Sequence, residues 1–82
     1  MREWLKRFRE SRQMTQQNVA DLLGITKQYY QQIEAHERQK KMDIMMITKL
    51  SEIFEIPVEK IISLENELTR KFQMNESDTD PS

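Results

Sequence analysis

Residues 16–34, QQNVADLLGITKQYYQQIE, read as two short helices joined by a tight turn. Gly24, the only glycine in the chain, follows Leu23, the last residue of the first apolar period. A helix closes most cheaply there through a left-handed residue, and glycine adopts that conformation without a Cβ penalty. Val19, Leu23, Ile25, Tyr30 and Ile33 fall at spacings that place them on one side of the two helices, so they are expected to bury together. Ala20 is small where the second helix must cross the first at close range. The first helix is predicted over Gln16–Leu23, the turn at Gly24 and Ile25, and the second helix from after Thr26 to near Ala35. Lys27, Gln28, Gln31 and Gln32 are left facing outward. Long neutral amides add little to a core, but they donate and accept at base edges, and Gln matches adenine bidentately.

Thr15-Gln16, Val19-Ala20, Leu23-Gly24-Ile25-Thr26, Tyr30 and Ile33-Glu34 together resemble the helix-turn-helix of the phage-repressor (Cro-type, XRE) family, and the likeness runs from Leu5 to Ile62. The resemblance implies an all-α, compact five-helix, lambda-repressor-like domain whose third helix enters the major groove. It further implies that Arg9 pairs with Glu34, locking the first helix to the recognition helix through a bidentate contact. By the same resemblance Thr15, Gln16, Gln17 and Thr26 meet phosphates around the turn, with the Gln16 amide either on the phosphate or bracing the recognition helix, and Arg38, Lys40 and Lys41 meet them from the following loop. Gln28 and Gln32 lie four apart on one helical face and are assigned to base edges, with Lys27 on a phosphate or a guanine edge and Gln31 on the flank. Tyr29 is expected to face outward, its ring available to a thymine methyl or its hydroxyl to a phosphate. Tyr30 stands where the family usually has a branched aliphatic, so it is expected in the core with its hydroxyl reaching an edge partner.

The formal net charge of −1 does not suggest a nucleic-acid partner, but its distribution does. Residues 1–42 carry nine Lys/Arg against five acids, and residues 43–82 carry four against nine. A basic first half and an acidic second half fit a first half that faces phosphate. The absence of cysteine excludes a disulfide frame and a thiolate metal site. His36 stands alone and reads as a solvated loop residue, so neither a metal nor another cofactor is expected. With one histidine, no cysteine and no phosphate-cradling glycine loop, nothing points to an enzyme. No run approaches the ~18 apolar residues needed to span a bilayer, and MREWLKRFRESR has no apolar core of a signal peptide. A cytoplasmic protein without a membrane partner is the expectation.

Along the chain, the opening helix is predicted from Arg2 or Glu3 to Gln13, with Leu5 and Phe8 in the core and Trp4 either packed at the helix start or half exposed. Met14 precedes the Thr15 cap and can staple to Val19. Asn18 stands where a capping box has Glu or Gln, so the box is expected to be incomplete. After Glu34 the segment AHERQKKM lacks the glycine and proline of the family loop and is longer, which allows the recognition helix to run past Ala35. Asp43 caps a helix over Ile44–Phe54, where Ile44, Ile47, Leu50 and Phe54 form a buried stripe. Met45, Met46 and Ile53 widen it, as core or as a partner surface. A fifth helix opens at Pro57-Val58 and continues to about Phe72.

The predicted organisation is a DNA-binding domain at 1–63, a helical extension at 64–72 and a disordered tail at 73–82. Leu64, Leu68 and Phe72 on the extension either make a homodimer contact with helix four or fold back on their own core. The functional expectation is a sequence-specific double-stranded DNA-binding regulator acting as a homodimer on a palindromic operator. A repressor of a phage, plasmid or mobile element, or an antitoxin, fits this best, with a toxin or anti-repressor as a possible protein partner. The alternative is a protein-interaction module that uses the same fold without DNA.

Overall fold

The computed structural model describes residues 1–79, without the side chains of Thr69 and of 71–79. Five helices follow in order: α1 Glu3–Ser11, α2 Gln16–Leu23, α3 Lys27–Glu34, α4 Ile44–Phe54 and α5 Val58–Thr79. There is no strand among the described residues. Leu5 of α1, Val19, Ala20 and Leu23 of α2, and Tyr30 and Ile33 of α3 close one end of the core. Met46, Ile47, Leu50 and Phe54 of α4 with Ile61 of α5 close the other, and Trp4, Phe8, Met14, Ile25, Ile53 and Val58 pack around the margin. Ala20 is fully buried where α2 meets α3, as its size suggests.

The starts of α2, α3 and α4 each have a cause in the sequence. Thr15, Thr26 and Asp43 accept from the backbone N–H groups of Asn18, Tyr29 and Met46 at 3.0, 3.0 and 2.8 Å. The capping box of α2 is complete, contrary to expectation: Asn18 Oδ1 accepts from the Thr15 N–H at 2.9 Å. The shorter amide side chain still reaches the cap backbone. Gly24 closes α2 at φ 72°, ψ 30°. The other helix ends turn left-handed without glycine, at Gln13, His36 and Glu55. α3 therefore stops at Glu34 and does not run on past Ala35. Two of its C-terminal turns are satisfied by His36 N–H to Ile33 O (3.1 Å) and Glu37 N–H to Gln32 O (2.8 Å).

Two placements in α4 and α5 differ from the sequence reading. Ile44 is 65% exposed, and Met46 takes the buried place in the first turn of α4. The apolar run offers two adjacent stripes, and contact with α2 and α5 selects the one through Met46, Ile47, Leu50 and Phe54. α5 continues to Thr79, through part of the segment expected to be a disordered tail. No Gly or Pro interrupts the sequence between Val58 and Pro81, so nothing local stops it; residues 80–82 lie outside the described residues. The side chain of Phe72 also lies outside them. Leu64 and Leu68 are half-buried and share a shallow cleft with Met1 and Trp4 at the start of α1.

Arg2 is the largest departure. Counted by sequence among the cations that face phosphate, it is instead fully buried. Its Nε and Nη2 donate to the two oxygens of Glu65 at 2.9 Å each. Nη1 donates to the carbonyls of Ile33 (2.7 Å) and Arg38 (3.1 Å), and Nη2 also donates to that of Gln39. The Arg2 backbone N–H donates to Glu34 O at 2.8 Å, and Trp4 Nε1 donates to Glu65 at 2.9 Å. One side chain thus ties the chain start, the end of α3, the loop after it and α5 together. Arg12 stays exposed but folds along the surface, donating to the Phe54 carbonyl and lying over the Phe8 and Phe54 rings at 5.4 and 5.5 Å.

Candidate nucleic-acid interface

The recognition helix is held from below before it offers anything outward. Arg9 Nε and Nη2 donate to Glu34 Oε2 and Oε1 at 2.9 and 3.1 Å, and Nη1 donates to Met14 O at 3.0 Å. The pair is nearly dry, with the side chains 11% and 2% exposed. Hydrogen bonding to Glu34 raises the Arg9 pKa against the opposing effect of burial. Removing one partner would strand the other's charge in the core, a cost of about 3–5 kcal/mol. Tyr30 packs beneath this pair, fully buried. Its hydroxyl makes no hydrogen bond of ordinary geometry, although it lies close enough to the Glu34 carboxylate and the Arg9 guanidinium to interact with both. Burial, reinforced by the nearby Glu34 carboxylate, pushes the phenol well above its ordinary value.

Above this base, Lys27 and Gln28 stand exposed at the N-terminal end of α3. Thr26, Gln28, Tyr29, Gln32 and Arg38 share one shallow surface. The structure thus brings Arg38 to the recognition helix, where its Nε donates to Gln32 Oε1 at 3.0 Å and its guanidinium sits 5.7 Å above the Tyr29 ring. Tyr29 does not simply face outward. It is half-buried against the core, and its hydroxyl accepts from Gln39 Nε2 at 3.2 Å. Gln39 is fastened in turn to Asp43, whose backbone N–H donates to Gln39 Oε1 at 3.1 Å.

Gln31 lies on the other side of α3, donating from Nε2 to Gln16 Oε1 at 3.1 Å, so the starts of α2 and α3 are bridged by two amides. Gln17 is exposed, and its amide donates to Asp21 one turn on at 2.8 Å. Thr15 and Thr26 spend their oxygens on capping, which leaves each hydroxyl hydrogen available to an acceptor. Lys40 and Lys41 are exposed but are not on the Gln28–Gln32 surface: they border a cleft with Met42, Ile47, Ile62 and Glu65. His36 is half-buried, with Nε2 3.3 Å from the Lys40 carbonyl oxygen, and closes the end of α3 in place of the solvated role expected of it. Sequence reasoning missed Arg2, Glu65 and Gln39 as the supports of this surface.

A helix-turn-helix family model matches residues 5–61 of the chain. The chain belongs to the XRE-type helix-turn-helix family. Neither the curated proteins nor the solved structures return a match. The family match spans the whole of α1 through α4 except the first turn of α1, and ends at the buried Ile61 of α5. It makes this a DNA-binding regulator of the XRE type with an all-α, lambda-repressor-like fold. No helix among the described residues is long and apolar enough to cross a membrane.

Proposed function

We propose that this XRE-type protein is a sequence-specific transcriptional repressor of a phage, plasmid or mobile element, or an antitoxin, that reads a two-fold symmetric operator as a homodimer. The observation that carries the reading is the outer face of α3. Lys27, Gln28 and Gln32 are exposed or half-exposed there, with Gln31 on the flank toward α2, on a helix fixed at its far end by the Arg9–Glu34 pair. An exposed row of long amides on a rigidly seated helix is suited to base edges. Gln28 is the adenine reader in this scheme, and Lys27 with the hydroxyls of Thr15 and Thr26 meets phosphate. The homodimer uses the α4–α5 side, where Ile44, Met45 and Ile62 are exposed. The test is a gel-shift selection from random duplexes at moderate salt, with the bound pool sequenced. A two-fold symmetric motif is expected, and Gln28→Ala should relax one position in each half-site. Binding without an enriched motif would sink the sequence-specific reading.

A second reading, a protein-interaction module that does not bind DNA, draws on the same exposed Ile44 and Met45 and on the acidic second half of the chain. A folded protein that fails to bind any duplex in the selection would favour it.

A further inference from the structure

Arg38 lies beyond the end of α3, in the loop that the family resemblance gives to phosphate contacts. Its surroundings are unlike those of a phosphate arm. The backbone beneath it is pinned, because the Arg38 and Gln39 carbonyls both accept from the buried Arg2 guanidinium. The side chain folds back onto the recognition helix, stacked over Tyr29 and donating from Nε to Gln32. Tyr29 is itself steadied by Gln39. A phosphate contact needs a charge near the backbone, and a mobile lysine supplies it as well. A guanidinium supported on one face by a ring and on one edge by an amide is instead held in a fixed plane.

Two chemical consequences follow. A guanidinium has donors only, so the Gln32 atom facing it must be the amide oxygen, and Gln32 turns its NH2 outward. The oxygen that would accept from adenine is thereby engaged, which moves Gln32 away from the adenine pairing assigned to it by sequence. Arg38 in turn spends only Nε on Gln32, and the Nη1–Nη2 end of this exposed residue remains. Two parallel donors at that end match O6 and N7 of guanine in the major groove.

We propose that Arg38 is a specificity-determining residue that reads a guanine in each half-site, aimed by Gln32 and Tyr29, and that it is not a phosphate clamp. The assignment rests on the reading of α3 as the DNA-contacting helix. Lysine keeps the charge at this position but cannot make the bidentate contact. The test is therefore the random-duplex selection run on the full-length wild-type chain and on Arg38→Lys, followed by titration of both on the wild-type site over a salt series. The wild type is expected to enrich a guanine column in each half-site. Arg38→Lys should lose that column, keep the others, and bind the wild-type site about tenfold or more weakly with an unchanged salt slope. A wild-type motif without a guanine column that responds to Arg38 would overturn the assignment and leave the DNA-reading function standing. So would full retention of affinity and motif by Arg38→Lys, the behaviour of a phosphate contact. A wild-type chain that enriches no motif overturns the function and the assignment together. Arg38 is exposed, so the variant should fold, and its far-UV circular dichroism is measured alongside.

Discussion

Tyr30 is placed by its ring and penalised by its hydroxyl. The aromatic body fills the core between α2 and α3, while the buried oxygen makes no hydrogen bond of ordinary geometry and sits beside the Glu34 carboxylate and the Arg9 guanidinium. Such a group costs about 1–3 kcal/mol, and burial together with Glu34 raises its pKa above the ordinary value of 10.0. The sign of the pH effect follows. The unfolded phenol ionises near pH 10.0 while the folded one stays protonated, so this stability is present below that pH and is lost as pH rises above it. Tyr30→Phe keeps the ring and removes the hydroxyl. Its melting temperature at neutral pH should rise by several degrees, since 1 kcal/mol moves a domain of this size by about 4–8 °C. Its loss of stability above pH 10.0 should also be shallower than the wild type's. Thermal melts of both chains over an alkaline series measure this. A lower melting temperature for Tyr30→Phe at neutral pH would mean that the hydroxyl is satisfied in solution.

At the scale of elements, what was legible depended on whether the cause was local. The turn between α2 and α3 could be read because its left-handed residue is the glycine, and the starts of α2, α3 and α4 because Thr15, Thr26 and Asp43 cap them. The end of α3 could not be read, because the left-handed residue there is His36, a residue type that marks no helix end by itself. Arg9 and Glu34 were paired by resemblance. Nothing comparable paired Arg2 with Glu65, which are sixty-three residues apart and look individually like surface charges. This second pair joins α5 to the loop that carries Arg38, so its loss should be felt well beyond its own position. Glu65→Ala leaves the buried Arg2 charge facing only carbonyls and should cost about 3–5 kcal/mol, against within about 0.5 kcal/mol for the exposed neighbour Glu67→Ala. Denaturant unfolding followed by the emission of Trp4, the only tryptophan and itself a donor to Glu65, reads both variants. Equal stabilities for the two would show that Arg2 does not depend on this carboxylate.

The whole molecule resolves the charge distribution differently from the sequence. Arg2 and Arg9 are spent internally on carbonyls and carboxylates, and the exposed Arg12 is laid over aromatic rings. Lys27, Arg38, Lys40 and Lys41 remain exposed around α3 and its loop, while Arg7, Lys49, Lys60 and Arg70 are exposed on the other elements. The few cations beside α3 on one copy release few counterions at a single half-site, which gives weak binding at physiological salt. In the proposed homodimer a second copy would double the phosphate contacts and the base-reading face, and a two-fold axis would space the two α3 helices for successive major grooves. The α4–α5 side offers the surface for it. Ile44 and Met45 are each 65% exposed at the start of α4, and Ile62 is 39% exposed on α5, an arrangement that does nothing for the fold of a single copy. These side chains are exposed, so Ile44→Glu with Met45→Glu should leave helicity and melting unchanged within about 0.5 kcal/mol. Sedimentation should shift from dimer to monomer. Affinity for a duplex with two half-sites should fall to the level of a duplex with one, on which the variant and the wild type bind alike. If the doubly substituted chain sediments as the wild type does, the α4–α5 side is not where copies meet, and a wild type that is monomeric at high concentration would remove the dimer from the mechanism.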